Sequence, residues 1–369
     1  MELLKKRTNI KKRICLVGNM HGFFQYLLLS SEEEICQTYF FWNYVGFPEE
    51  LRMKFEGMGS MIPKPHFVRQ TKIPLLNTLI TVFRTFFDYY VYYPLKWPFL
   101  LKTNLEYWGH DHIYNSFCFL RKHPFSLLED GLLNYLPYSL SYEKETLNNK
   151  FLLKISTFLF GDLFLHFLEF AGSEKSCIKI HLTGLTEIDK SIKHCINKTE
   201  INSFFSLWQM SSDRKRDFVN RVMGLSDEMI NLCRKCNRIL LTEPFSEDEI
   251  ISEKEKLNVY REIINKIGSE GLLIKPHPRE MTDYTIVFPN IPVLKTYAPI
   301  QLLSLNNVKF DIAYSIYSTA LYDFPYKIKI CIIGPEIHPL LIKRFANRTI
   351  SDIGLIKDNV EIIEYENLS

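Results

Sequence analysis

Four short apolar runs in the second half of the chain, each closed by polar or proline-containing turns, restrict its fold more than any other feature. They are RILLTE (238–243), GLLIK (271–275), FDIAYS (310–315) and IKICIIG (328–334). Runs of this length, rich in Ile and Leu and bounded by longer helical patterns, read as buried strands. The intervening SEDEIISEKEKLNVYREIINKIG (246–268) has helical periodicity, with Ser246 and Glu249 as a capping box and Gly268 as C-cap. Strands that alternate with helices form βαβ units and a parallel sheet. Binding residues then belong at the carboxyl ends of the strands.

The first half repeats the pattern in part, with RICLVG (13–18), FSLLED (125–130) and CIKIHLT (177–183) of strand length. Between them lie two long apolar segments, 72–102 and 151–172. On a helical projection Asn77, Arg84 and Asp88 share one stripe of the first, and Lys154, Asp162, His166 and Glu169 one side of the second. Mid-segment charges are costly in lipid, so both read as amphipathic helices with wide apolar faces. Burial in a core or homodimer interface is the leading expectation, and docking on a membrane surface the alternative.

At 369 residues there is room for two domains, and 46% hydrophobic with 24% charged residues is the balance of a folded globular protein. A net charge of +3 with dispersed basic residues carries no nucleic-acid footprint. The basic start MELLKKRTNIKKR runs straight into strand-like ICLVGN without a signal-type apolar stretch, so a cytoplasmic location is expected. The eight cysteines then read as buried thiols. Cys233 and Cys236 form a single CxxC, too few ligands for a zinc site, and read as helix packing. His110 and His112 of HDH read as solvated loop residues rather than the seed of a metal site.

Three motifs carry possible chemistry. LLEDGLLNY (127–135) ends a strand in Glu129 and Asp130 before Gly131. Adjacent side chains on a strand point to opposite faces, so one of the pair faces a given cleft, where a carboxylate can take the proton of a hydroxyl. The competing reading is an Asp-Gly surface turn. In GLLIKPHPRE (271–280), two prolines hold His277 between fixed backbone positions, and Lys275 and Arg279 crowd positive charge beside it. A protonated imidazole there can bond a phosphate oxygen and release its proton as the phosphate departs; taken alone it is as readily a structural histidine. AYSIYSTALYDF (313–324) sets Ser315, Ser318 and Thr319 between a strand and a short helix, as an anion site or a plain N-cap.

In the order acidic-acidic-Gly, RILLTEPFSED, IKPHPRE, YSIYSTAL, the chain resembles the bacterial lipooligosaccharide sialyltransferases of glycosyltransferase family 52 and the related capsular polysialyltransferases. The resemblance covers about the last 140 residues well and reaches back more loosely to Glu129-Asp130-Gly131. It implies an α/β fold of GT-B type, two Rossmann-like domains facing each other across a cleft. The implied division is an acceptor-side domain over 1–183, a connecting region over 184–237 and a CMP-binding domain over 238–369.

The implied reaction moves sialic acid from CMP-sialic acid to a hydroxyl of lipooligosaccharide or capsule, with inversion and without a metal or other cofactor. His277 is then the general acid towards CMP. Ser318, Thr319 and Ser315 hold the phosphate, and Lys275 and Arg279 either bind it or support the loop. Thr242 and Pro278 complete the donor-side set. The base is Asp130, with Glu129 beside it, or alternatively Glu247 or Asp248 after the RILLTE strand. Relatives carry Pro-x-Glu where this chain has APIQLL, so Gln301 stands where a ribose-binding Glu is expected.

Partners implied are a CMP-sugar, a glycan or glycolipid acceptor, and peripheral contact with the inner face of the inner membrane. The alternatives are the same mechanism with another donor (a different CMP-nonulosonate, CMP-Kdo or a nucleotide-diphosphate hexose), or a non-catalytic membrane assembly protein.

Overall fold

The computed structural model describes residues 12–43, 47, 49–61, parts of 83–135 and 171–192, 198–345 and 359–365. The chain divides into two compact units, Met1–Ser211 and Ser212–Ser369. Residues 184–237 contribute a strand and a helix (Phe204–Met210) to the first unit, and the helices Asp213–Val222 and Asp227–Cys233 to the second.

The first unit holds a seven-stranded sheet in the order β3-β2-β1-β4-β5-β6-β7, with every neighbouring pair parallel. The strands are β1 (Arg13–Val17), β2 (Thr38–Trp42), β3 (Gly59–Met61), β4 (Glu106–Gly109), β5 (Phe125–Leu127), β6 (Cys177–Leu182) and β7 (Thr199–Ile201). Parallel strands are covered on both faces and therefore read as continuous apolar runs. Accordingly Ile14 to Val17 are all fully buried. The aromatic richness goes largely into this core: the Phe23 ring lies within 5.3–6.3 Å of Phe40, Trp42, Phe47 and Phe55.

The second unit holds five parallel strands in the order β12-β11-β10-β8-β9. They are β8 (Arg238–Leu241), β9 (Leu272–Lys275), β10 (Ile312–Ser315), β11 (Ile328–Ile332) and β12 (Val360–Glu364). All seven runs read as strands from sequence are strands. Five more (β2, β3, β4, β7 and β12) were not legible, being very short, aromatic or charged at alternate positions.

The long helix is Glu253–Ile267, with Gly268 as its C-cap at φ 77°. Its capping box is Ser252 with Glu255, which corrects the expected pair Ser246 and Glu249. Glu249 has φ 57°, a left-handed conformation that cannot continue a helix, and residues 245–249 form turns instead. Ser246 Oγ donates to Glu247 (2.9 Å) and to Glu253 (2.6 Å).

Residues 72–82, 84–86, 102 and 151–170, including Arg84 of the Arg84–Asp88 pair, lie outside the described residues. Within the first segment Phe83, Phe87, Tyr90, Tyr92 and Leu95 are exposed. Among the described residues no helix is long and apolar enough to cross a membrane. Cys233 and Cys236 are buried thiols at a helix end, with burial pushing Cys233 up to about 12. Among the described residues no group of three metal-ligating side chains converges.

Each sheet reverses its strand order once, between β1 and β4 in the first and between β8 and β10 in the second. Such reversals open crevices at the carboxyl ends of the strands.

Candidate functional site

In the first unit the residues after β1, β4, β5 and β6 meet. Asn19 caps the helix Met20–Leu29, accepting from Gly22 N–H at 2.7 Å, and sets His21 in its first turn. His110 follows β4 and is fully buried, contrary to the solvated loop expected for it. Its Nδ1 accepts from Gly18 N–H (3.1 Å), so Nε2 carries the proton and donates to the Glu129 carbonyl (3.3 Å). Gly22 makes room for this ring, since a Cβ there would lie 2.4 Å from it. His112 lies outside the described residues.

Glu129 is fully buried. Its Oε1 accepts from Thr183 Oγ1 (2.8 Å) and lies 3.0 Å from His21 Nε2. Its Oε2 accepts from Tyr135 O–H (2.9 Å) and from Thr183 N–H. Burial, reinforced by the adjacent carboxylate, pushes the Tyr135 phenol up, so it keeps its proton. Gln25 ties the same corner together, accepting from Glu129 N–H (2.8 Å) and donating to the His181 carbonyl (3.1 Å). Asp130 is half-buried, and its N–H donates to Asn134 Oδ1 (2.5 Å).

In the second unit the residues after β8, β9 and β10 form the comparable corner. Glu243 is buried, and its carboxylate accepts from Tyr260 O–H (2.6 Å), Tyr317 N–H (3.0 Å) and the Ser315 hydroxyl. Burial, countered by these bonds, raises its pKa. Ser315 is fully buried and also accepts from Ser318 N–H (3.1 Å). It therefore shapes the loop from beneath, a correction to its expected place on the phosphate. Ser318 Oγ accepts from Ala320 N–H (3.3 Å); the Thr319 side chain lies outside the described residues.

The Pro-His-Pro loop is held by a buried carboxylate. Glu280, whose side chain is wholly buried, accepts from His277 N–H (2.7 Å), Thr242 O–H (2.5 Å) and Tyr284 O–H (2.6 Å), and lies 3.5 Å from Lys256 Nζ. Burial, opposed by those bonds, pushes Glu280 up to about 7. Lys256, itself wholly buried, reaches Glu247 and Glu253, both at 3.0 Å. Glu247 accepts from Met281 N–H (2.7 Å), and Asp248 holds Arg279 through both oxygens (2.5 and 3.1 Å). Both alternative bases thus serve as braces of this loop.

His277 is half-buried, and its Nδ1 accepts from Arg279 N–H at 3.1 Å, which places the ring proton on Nε2. Burial first, then the Arg279 and Lys275 charges, hold His277 down to about 4, so the resting ring is neutral rather than protonated as expected. Lys275 is buried, and among the described residues its ammonium forms no hydrogen bond or ion pair. Burial, offset by Glu280, lowers it to about 8, so it carries charge at neutral pH. An ammonium that Glu280 offsets without pairing to it, beside a fixed N–H donor, is suited to an anion.

The structure therefore groups Thr242, Lys275, His277, Pro278 and Arg279 with Glu247 and Asp248 around the loop after β9, and Ser315 with Ser318 at the end of β10, with β8 between the two strands. Gln301 is buried in the first turn of Ile300–Leu305. Sequence reading missed His21, Thr183, Glu243 and Glu280. The signal was present for the first, a histidine in the Gly18–Gly22 turn after a strand, and for the last, the charged residue closing IKPHPRE.

The chain matches the family described as glycosyltransferase family 52 over residues 84–339. It is 31% identical over 338 residues to an uncharacterized protein of Haemophilus influenzae, covering 91% of this chain and 98% of that protein. Among solved structures it resembles the GT-B domain of a sialyltransferase from Photobacterium damselae, with TM-score 0.51, 15% identity and coverage of 95% and 100% of the two chains. A Photobacterium 2,6-sialyltransferase in complex with CMP and lactose gives TM-score 0.51 at 13% identity, covering 96% and 78%. At these identities the structural likeness is one of fold, which is of the GT-B type.

Proposed function

Because the chain belongs to glycosyltransferase family 52, we propose that this glycosyltransferase moves sialic acid from CMP-sialic acid to a hydroxyl of a surface glycan, with inversion and without a metal. The observation that carries the reading is the Lys275–Glu280 loop, where the Lys275 ammonium, with no ion pair among the described residues, adjoins a histidine whose tautomer the backbone fixes. The sialyltransferases of like fold, one of them in complex with CMP and lactose, support the donor class.

Cleaving the bond from the anomeric carbon to the CMP phosphate builds positive charge on the sugar and negative charge on the phosphate. Lys275 opposes the latter, and His277 donates a hydrogen bond from Nε2–H. With one proton on its ring, His277 gives up none outright; full transfer requires the bound phosphate first to offset the cations that depress its pKa. Ser318 adds a hydroxyl after β10, on the far side of β8 from the loop. The acceptor belongs to the strand ends of the first unit, where Glu129 and Asp130 lie.

CMP release from CMP-N-acetylneuraminic acid, measured with galactosides and sialosides as acceptors and EDTA present, tests the reading. His277→Ala is expected to lower acceptor-dependent release by about 10²- to 10⁴-fold. Turnover of a different activated sugar in its place would replace the donor, and activity abolished by EDTA would sink the metal-free mechanism.

The same reading places the enzyme at the inner face of the inner membrane, with Phe83, Phe87, Tyr90 and Leu95 on the lipid side. Sedimentation with anionic liposomes checks this: the wild-type protein should pellet, and a Phe83→Ser/Phe87→Ser variant should stay in the supernatant.

A further inference from the structure

We propose that Thr242 and Glu243, the two residues that follow β8, act as a pair of positioning residues for the CMP phosphate. Glu243 fixes the Ser315–Ser318 turn, and Thr242, through Glu280, fixes the His277 loop. This deepens the reading above and rests on it for the phosphate, though not for the bonds within the second unit.

β8 lies between β9 and β10, so its end stands between the loop that carries His277 and the turn that carries Ser318. Thr242 and Glu243 are both buried, and their side chains bond in opposite directions. Glu243 Oε1 accepts from Tyr317 N–H (3.0 Å) and from the Ser315 hydroxyl, whose oxygen in turn accepts from Ser318 N–H (3.1 Å). Thr242 Oγ1 donates to Glu280 Oε1 (2.5 Å), and the same oxygen accepts from His277 N–H (2.7 Å).

Each arm is anchored at its root. Glu243 N–H donates to the Tyr260 hydroxyl oxygen (2.7 Å), and Tyr260 O–H returns to Glu243 Oε2 (2.6 Å). Backbone and side chain of Glu243 are thus tied to one fully buried helix residue. Thr242 N–H donates to the Lys275 carbonyl (3.2 Å), which carries the β8–β9 ladder to the edge of the His277 loop. Tyr284 O–H holds the second oxygen of Glu280 (2.6 Å), and its ring meets Tyr260 edge-on at 5.9 Å. The two arms share one buried floor.

Stability alone does not call for this arrangement. Burying two carboxylates is costly, and apolar side chains of similar volume can serve a core as well. Apolar side chains would, however, leave Tyr317 N–H and His277 N–H without acceptors. What the polar pair adds is a set position for two loop backbones. A displacement of about 1 Å between a bound group and its donors can cost on the order of 100-fold in rate.

Hydrogen exchange on the full chain tests the bonds. Glu243→Gln should speed exchange of the Tyr317 and Ser318 amides by about 10-fold or more and leave His277 near its wild-type rate. Thr242→Val should do the reverse, and Thr242→Ser, which keeps the hydroxyl, should restore the His277 rate. Ser315→Ala breaks the first arm from its far end and serves where Glu243→Gln does not fold. Unchanged rates, or both loops loosened alike by either variant, would overturn the pair.

Calorimetric titration with CMP reads the consequence. Glu243→Gln and Ser315→Ala should each weaken CMP binding by about 10-fold. Together they should cost less than the product of the single losses, because they break one arm. Affinity within about 2-fold of wild type, or losses that multiply in full, would overturn the role towards the phosphate. If the wild-type protein binds no CMP, the donor reading falls, and the exchange rates alone decide whether the pair positions the loops.

Discussion

Both units bury glutamates at the carboxyl ends of parallel strands, and they use them in opposite ways. In the second unit Glu243 and Glu280 are enclosed: their partners are Tyr260, Ser315, Tyr317, Thr242, Tyr284, Lys256 and the His277 backbone, and the ring of His277 is touched by neither. In the first unit Glu129 is as deeply buried, but one of its partners is the His21 ring, which keeps some exposure. The first carboxylate is thus bonded to a side chain that reaches the surface. The other two act as internal struts beneath a loop. A buried carboxylate at a strand end is therefore not by itself a catalytic group; what it is bonded to decides its use.

The comparison can be broken most forcefully at Lys256. Replacing Lys256 by Met leaves Glu280 buried without its cation and Glu247 and Glu253 facing it, so a loss of about 3–5 kcal/mol in urea unfolding is expected. If Lys256→Met unfolds like wild type, the network is no strut.

A steric change in the first unit should cost less. A Cβ at residue 22 would lie 2.4 Å from the His110 ring, and Gly22→Ala should destabilise by about 1–3 kcal/mol while also disturbing the Glu129 corner. Unchanged stability would show that His110 moves aside freely.

The pH dependence sharpens the contrast. Glu280, raised to about 7, holds its proton more tightly in the fold than in the unfolded chain, so its contribution is full at acid pH and is lost as pH rises through about 7. His277, lowered to about 4, contributes fully above about 6.5 and loses its contribution as pH falls towards 4. Between pH ~4.5 and ~6.5 the two oppose each other. Glu280→Gln should leave stability falling on acidification by up to about 1.4 kcal/mol per pH unit, and His277→Gln should leave the reverse slope. Identical slopes in both variants would remove the two residues from the pH response.

The smallest effect is expected at Asp248. It pairs with Arg279 where both side chains are about a third exposed, so Asp248→Asn should change stability by no more than about 1 kcal/mol. Its larger consequence should appear as a weaker affinity for CMP, because Arg279 N–H fixes the His277 tautomer. Calorimetric titration with CMP checks this.

Much of the second unit was legible because its determinants are local. Strands covered on both faces must be apolar at consecutive positions, as Leu272 to Ile274 are, and a helix must close at a residue such as Gly268. The proline pair marks His277 within a few residues. In the first unit the same local signals recovered β1, β5 and β6 but not TYFFW at 38–42 or EYWG at 106–109, where aromatic rings pack a core that no periodicity announces. The capping box was misplaced because Ser246 and Glu249 have the right spacing, while the turn required after β8 forces Glu249 into a left-handed conformation.

Sequence by itself determined the strand runs, the parallel character of the second sheet, and the clustering of polar residues at strand ends, since period and burial are written in neighbouring residues. Only the tertiary structure decided which of those polar residues meet. Glu129 joins His21 across 108 positions and Thr183 across 54, and Glu243 joins Ser315 across 72. Parallel crossovers bring carboxyl ends together irrespective of their separation in the chain, and burial then fixes which carboxylate is enclosed and which is left in contact with a partly exposed ring.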